Sequence, residues 1–259
     1  MKIGVFSPGR QFGASVVSIL LSEMLSIKMG THVTLTSLDP KDWSHQIYLN
    51  LPDNKEITRS LRQVNAMLDA RSITGDEVIK YAIKKGEYLS VLNPVVEDLQ
   101  QSELVNIVEF IAKSMEHNIL VVDANIELGS EDMDKVIDAL DYFIIVLSQS
   151  VLAQKKLEVW REKSKSFEEM VDKGVMYVVN NYDDIVSSMR ETVKYFEIPK
   201  NKACFIPYAP RIKLLCNDSN LQGIMEYFED DDIRYKKLRN SLEELVNKIT
   251  TDIGIGIGE

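Results

Sequence analysis

Short runs of apolar and β-branched residues punctuate the chain, separated by longer stretches in which apolar residues recur every three or four positions. Runs of four to six such residues bounded by Gly, Pro, Asp or Asn read as strands buried on both faces. They fall at Ile3–Phe6, Val33–Leu38, Leu89–Leu92, Ile119–Val122, Tyr142–Leu147, Val175–Val179 and Ala203–Ile206. Between them the helical period predicts helices over Ser15–Lys28, Ser102–Met115, Val151–Lys165 and Ile185–Phe196. Alternation of strand and helix implies crossover units. The expected fold is therefore α/β: a doubly wound, mostly parallel sheet flanked by helices, with the first strand central.

Residues 41–88 are the least regular, with helical patterns at Ile57–Leu68 and Asp76–Lys84. Neither an internal repeat nor a low-complexity linker interrupts the chain, so residues 1–249 read as one domain. The run Asp230–Ile249 predicts a helix with an apolar stripe at Leu238, Leu242, Leu245 and Ile249. Such a stripe packs on a core, or docks on a membrane or a partner. Thr250–Glu259, with its Gly-Ile alternation, reads as a flexible tail.

Composition narrows the classes. At 259 residues, 45% hydrophobic and 27% charged, the chain has the make-up of an ordinary globular protein. A net charge of −10 argues against broad nucleic-acid binding, which needs a basic surface, so DNA is not an expected partner. Cys204 and Cys216 sit in no metal-ligand spacing and read as reduced thiols. The first apolar run is stopped by Ser7, Pro8 and Gly9, short of a signal peptide. No stretch approaches the roughly 20 apolar residues that span a bilayer. The expected location is cytoplasmic, with membrane contact at most peripheral.

The first strand leads into Ser7-Pro-Gly-Arg-Gln-Phe-Gly-Ala-Ser15, and an apolar helix begins at once. Strand, glycine-bearing loop and helix in that order let backbone N–H groups and a helix N-terminus cradle a polyphosphate. The full phosphate-loop pattern is G-x-x-x-x-G-K-[ST], whose lysine reaches the outer phosphates and whose hydroxyl binds Mg²⁺. Gly13 and Ser15 are in place, but Ala14 occupies the lysine position. Residues Gly9, Arg10, Gln11, Phe12, Gly13, Ala14, Ser15 and Val16 are thus candidates to hold a nucleotide, in a site poorly equipped for hydrolysis. On spacing alone, a glycine-bearing turn in some other α/β protein fits equally well.

In a parallel sheet, ligands sit beyond the carboxyl ends of the strands, and several polar residues fall there. Ser15, Asp39 and Asp123 are candidate Mg²⁺ ligands, directly or through water, and Asp39 is a candidate to position an attacking water. Asn180 offers an amide that can read a base edge. Pro207 and Tyr208 lie on a rigid loop suited to flank a ring. Each has a plainer role available as a cap, a turn or packing.

Taken in order, Phe12-Gly-Ala-Ser15, Leu38-Asp-Pro40, the Ile119–Asp123 strand, the Asp141–Val146 strand, Val178-Val-Asn-Asn-Tyr182 and Phe205-Ile-Pro-Tyr-Ala-Pro-Arg211 resemble the MinD/ParA group of P-loop ATPases. The similarity covers residues 1–230, and the loop looks most like the TadZ/CpaE pilus-assembly branch. The resemblance implies a P-loop NTPase fold, ATP or ADP with Mg²⁺, adenine between Asn180 and the Pro207–Pro210 loop, and a homodimer. It also implies partners in a pilus, secretion or conjugation machine, with recruitment to the cell pole or the inner face of the membrane.

The departures bear on activity. The group's second, signature lysine falls at Gly9, the two glycines after it are Arg10 and Gln11, and the first carboxylate of its Asp-x-Asp-Pro motif is Ser37. Three functions stay open: a nucleotide-binding positioning protein with impaired hydrolysis, an active partition-type ATPase, and a scaffold whose pocket holds nothing. The active ATPase would need Arg10 to do the lysine's work. It would also need a basic surface, of which Arg234–Arg239 is the one cluster.

Overall fold

The computed structural model describes residues 1–52, 61–92, 100–114, 118–124, 130–229 and 233–254. Its strands are β1 (Lys2–Phe6), β2 (Val33–Ser37), β3 (Ile83–Lys84), β4 (Leu89–Leu92), β5 (Ile119–Asp123), β6 (Tyr142–Ser148), β7 (Val175–Tyr182) and β8 (Ala203–Pro207). They form one sheet in the order β3-β4-β2-β5-β1-β6-β7-β8. Every described pairing is parallel except β3 with β4, at the edge. β1 lies between β5 and β6, with Val5 opposite both Asp123 and Ile144. The chain winds outward from it in both directions, so the loop after β1 emerges where the strand order reverses.

Helices cover both faces. They are α1 (Ala14–Met29), α2 (Ser44–Tyr48), α3 (Leu61–Asp69), α4 (Gly75–Ile79), α5 (Gln101–Ser114) and α6 (Glu131–Ala139), then α7 (Val151–Lys163), α8 (Lys165–Lys173), α9 (Met189–Tyr195), α10 (Pro210–Asn217), α11 (Glu226–Glu229) and α12 (Ile233–Ile253). Successive strand residues feed opposite cores. Ile3 and Val5 pack with α1, α10 and α12, whereas Phe6 packs with α5, α6, α7 and α8. Burial on both faces is the reason β5 and β6 are near-continuous apolar runs, whereas β2 (Val-Thr-Leu-Thr-Ser) alternates and still buries every residue.

Four expectations change. The helix expected over Val151–Lys165 is two helices: Ser164 is extended and its Oγ accepts from Phe167 N at 3.3 Å, capping α8. The helix expected from Ile185 starts at Met189, where Ser188 and Glu191 form a capping box. The pattern over Asp76–Lys84 is one turn of helix followed by β3, and the part of Ile57–Leu68 before Leu61 lies outside the described residues. The fourth change is at the C-terminus. Leu238, Leu242, Leu245 and Ile249 of α12 are all fully buried, so the stripe packs on the core. The helix runs on through Thr250, also buried, to Ile253. Residues 250–253 of the expected tail are therefore helix, and residues 255–259 lie outside the described ones. Among the described residues no helix is long and apolar enough to cross a membrane.

Candidate nucleotide-binding site

The loop after β1 curls through two left-handed residues, Gln11 at φ 68° and Gly13 at φ 92°. Glycine adopts that conformation freely, whereas glutamine is strained by about 1 kcal/mol or more. Ser7 secures the start of the turn, its Oγ donating to Gly9 O at 2.7 Å. Gly13 then forms the N-cap of α1, and Val17 N donates to its carbonyl at 2.9 Å. No side chain caps α1 and its first turn carries no acidic residue. Its leading N–H groups and positive dipole end are left for an external acceptor.

These groups open into a cleft of about 390 Å³ lined by Ser7, Gly9–Val16, Asp39, Lys41, Asp42, Ser44, Tyr48, Asp123 and Ala124. The whole candidate loop thus lies on one cavity with Asp39 and Asp123. Asp39 Oδ1 accepts from Lys41 N at 3.0 Å. Ser15 Oγ donates to Asp42 Oδ2 at 3.2 Å. Asp123 is 1% exposed, and neither carboxylate oxygen has a hydrogen-bond partner. The His45 ring lies beside it, its Nε2 3.4 Å from Asp123 Oδ2 and 3.2 Å from Ser18 Oγ.

A buried carboxylate that accepts no hydrogen bond is costly, and it lines a cavity bounded by an uncapped helix N-terminus. Both features suit a polyphosphate carrying a divalent ion. Among the described residues no group of three or more His, Cys, Asp or Glu side chains could hold a metal by itself. Mg²⁺ does not require such a cage, since it commonly keeps several waters and shares one or two carboxylates with phosphate.

The base-reading candidates stand apart. Asn180, Pro207 and Tyr208 do not line the cleft. Asn180 is 4% exposed and its Nδ2 donates to Phe12 O at 3.0 Å, so the amide expected to read a base braces the loop instead. Tyr208 is 57% exposed at the end of β8, its N–H donating to Tyr182 O at 2.9 Å. Sequence reasoning missed Asp42, His45 and Tyr48. They lie on or beside α2, in the segment read as irregular. Two carboxylates three residues apart, Asp39 and Asp42, straight after a strand were the available signal.

Fold and cleft together define the class: a P-loop NTPase fold whose cleft opens at the loop after β1. Among solved structures, a ParA family ATPase from Chlorobium tepidum superposes with a TM-score of 0.72 at 14% identity, over 95% of this chain and 98% of that one. The Pyrococcus horikoshii septum site-determining protein MinD, complexed with Mg-ADP, superposes at 0.69 with 14% identity, over 98% and 97%. A chain of the MinC:MinD cell division protein complex of Aquifex aeolicus gives 0.67 at 14% identity, over 100% and 97%. The chain therefore has the fold of MinD/ParA ATPases. It matches no protein-family model and no curated protein.

Proposed function

We propose that the protein binds ATP or ADP with Mg²⁺ at the loop Gly9–Val16, hydrolyses it at most slowly, and acts as a MinD/ParA-type positioning protein. The observation that carries this reading is the uncapped N-terminus of α1 above a left-handed Gly13, on the same cleft as the buried Asp123 carboxylate, which accepts no hydrogen bond. Loop N–H groups would bind the phosphates, and Ser15 with Asp39 or Asp123 would hold the ion or its waters. Bound Mg²⁺ would neutralise phosphate charge. Ala14 supplies no cation to stabilise phosphoryl transfer, and this supports slow turnover.

The fold's likeness to MinD bound to Mg-ADP, and to a chain of the MinC:MinD complex, supports nucleotide binding and work through a protein partner. The finer reading rests on the sequence resemblance to the TadZ/CpaE branch. It is a homodimer that helps place pilus, secretion or conjugation machinery, recruited from the cytoplasm to the pole or the inner face of the membrane.

Titration of ATP and ADP with Mg²⁺ against the wild type and Gly13→Val tests the site. Ligand binding to the folded state raises the melting temperature with dose, and the added side chain should abolish that rise. No shift with millimolar nucleotide would make the protein a scaffold with a vestigial pocket. Equal shifts in both proteins would move the nucleotide to another site. Ser15→Ala, which leaves the backbone alone, should retain binding and lose most of its Mg²⁺ dependence.

A further inference from the structure

Ala14 leaves the phosphate loop without its lysine, yet an ammonium group lies against the same loop from another element. A methyl placed on Gly9 would come within 2.8 Å of Lys156 Nζ and 3.0 Å of its Cδ. The Lys156 side chain therefore reaches from α7 to the Gly9 backbone, through space that only glycine leaves open. Ala153, Leu157 and Trp160 bury the inner side of α7 in the core, so the base of this side chain is held firmly.

Lys156 is partly buried, and among the described residues its ammonium makes no hydrogen bond and no ion pair. Its neighbour Lys155 is paired with Glu158 at 2.9 Å. A partly buried ammonium without a counter-charge is open to an anion that reaches it. The nearby loop has N–H groups suited to an anion and no lysine of its own. The cations that line the cleft itself are Arg10 and Lys41, and both are exposed, whereas Lys156 stands behind the lining at Gly9. Lys41 also sits between Asp39 and Asp42 in sequence, whose carboxylates line the same cleft. Lys156 has no such competitor.

We infer that Lys156 supplies in place of Ala14 the cation that binds the outer phosphates of a nucleoside triphosphate held on the loop. This inference rests on the nucleotide reading above and names the residue that makes it workable. A lysine on a neighbouring helix can bind phosphate as a point charge. It lacks the fixed placement of a loop lysine, so the inference concerns binding and leaves turnover slow.

Calorimetric titration of Mg-ATP and Mg-ADP into the full chain tests it, with Lys156→Met, Lys156→Arg and Lys155→Met as variants. Loss of one charge-assisted contact should weaken ATP binding about ten-fold or more in Lys156→Met, and ADP binding less. Lys156→Arg should restore most of the affinity, and Lys155→Met should match the wild type. Melting temperatures without nucleotide should be equal or slightly higher in Lys156→Met, because an uncompensated charge is removed. If Lys156→Met binds ATP as the wild type does, the inference is overturned and the nucleotide reading stands. If the wild type itself binds neither nucleotide, both are overturned.

Discussion

Asn180 and Phe12, 168 positions apart in sequence, meet through a 3.0 Å hydrogen bond from the side-chain amide to the loop carbonyl. The same amide nitrogen would lie 2.1 Å from a Cβ on Gly13. The end of β7 and the turn of the phosphate loop are thus one mechanical unit, with the glycine leaving space for the brace. Asn180→Ala should orphan a buried carbonyl and destabilise the fold by about 1–3 kcal/mol. Asn180→Asp should cost more, since a carboxylate turns acceptors toward Phe12 O. Urea unfolding of the two variants checks the order.

Phosphate release from ATP should stay below about 1 s⁻¹, the low end for kinases, because a positioned cation at phosphoryl transfer is worth on the order of 10³-fold or more. A steady-state assay decides this. Faster turnover would show that Arg10 or another cation reaches the transferring group, and Arg10→Ala would then be the variant that abolishes it.

Glu23 on α1 predicts how stability changes with pH. Its side chain is buried with Oε1 unpartnered, and burial pushes its pKa from 4.5 to about 7 against the opposing pull of Lys85. The folded state holds this proton more tightly than the unfolded chain does. The contribution is therefore full below pH 4.5 and is lost as pH rises through about 7. Glu23→Gln should flatten that decline and raise stability at pH 8 by on the order of 2 kcal/mol. Urea midpoints of both proteins at pH 5 and pH 8 measure it. A larger gain at pH 5 than at pH 8 would contradict the assignment.

The end of α12 gives the fourth expectation. Tyr142 Oη donates to Asp252 Oδ2 at 2.5 Å, and Lys202 Nζ lies 2.7 Å from the same oxygen. These contacts tie the last turn to the start of β6 and to the segment before β8. A chain ending at residue 249 loses both, along with buried Thr250, and should be less stable by about 2 kcal/mol or more. Asp252→Asn should show a smaller part of that loss, and thermal melts of both would separate the two contributions.

The central strands and the loop after β1 were legible because a strand buried on both faces is mostly apolar or β-branched. Once strands and helices are seen to alternate, the carboxyl edge follows. The short elements were not legible. β3 has two residues and α2 five, too few to express a period. Ser164 reads as an ordinary surface position within a helical pattern until its capping hydrogen bond is seen. At the site, the sequence identified which residues stand at strand ends, but not where their side chains turn. Asn180, expected just beyond a strand ending at Val179, lies within β7 and its amide donates to the loop, while Lys156 reaches Gly9 through space that no spacing rule describes.

The cleft's carboxylates also govern how a ligand would arrive. Asp39, Asp42 and Asp123 outnumber Arg10 and Lys41 along its wall, in a chain of net charge −10. A nucleotide triphosphate diffusing toward this opening meets repulsion rather than steering. Its encounter rate should therefore rise with ionic strength, the reverse of attractive charge-steered association. Chelation by Mg²⁺ beforehand removes two units of that charge, so the metal complex has the easier approach. Any favourable contact with Lys156 or the helix N-terminus acts only at close range, in the lifetime of the complex rather than in its formation.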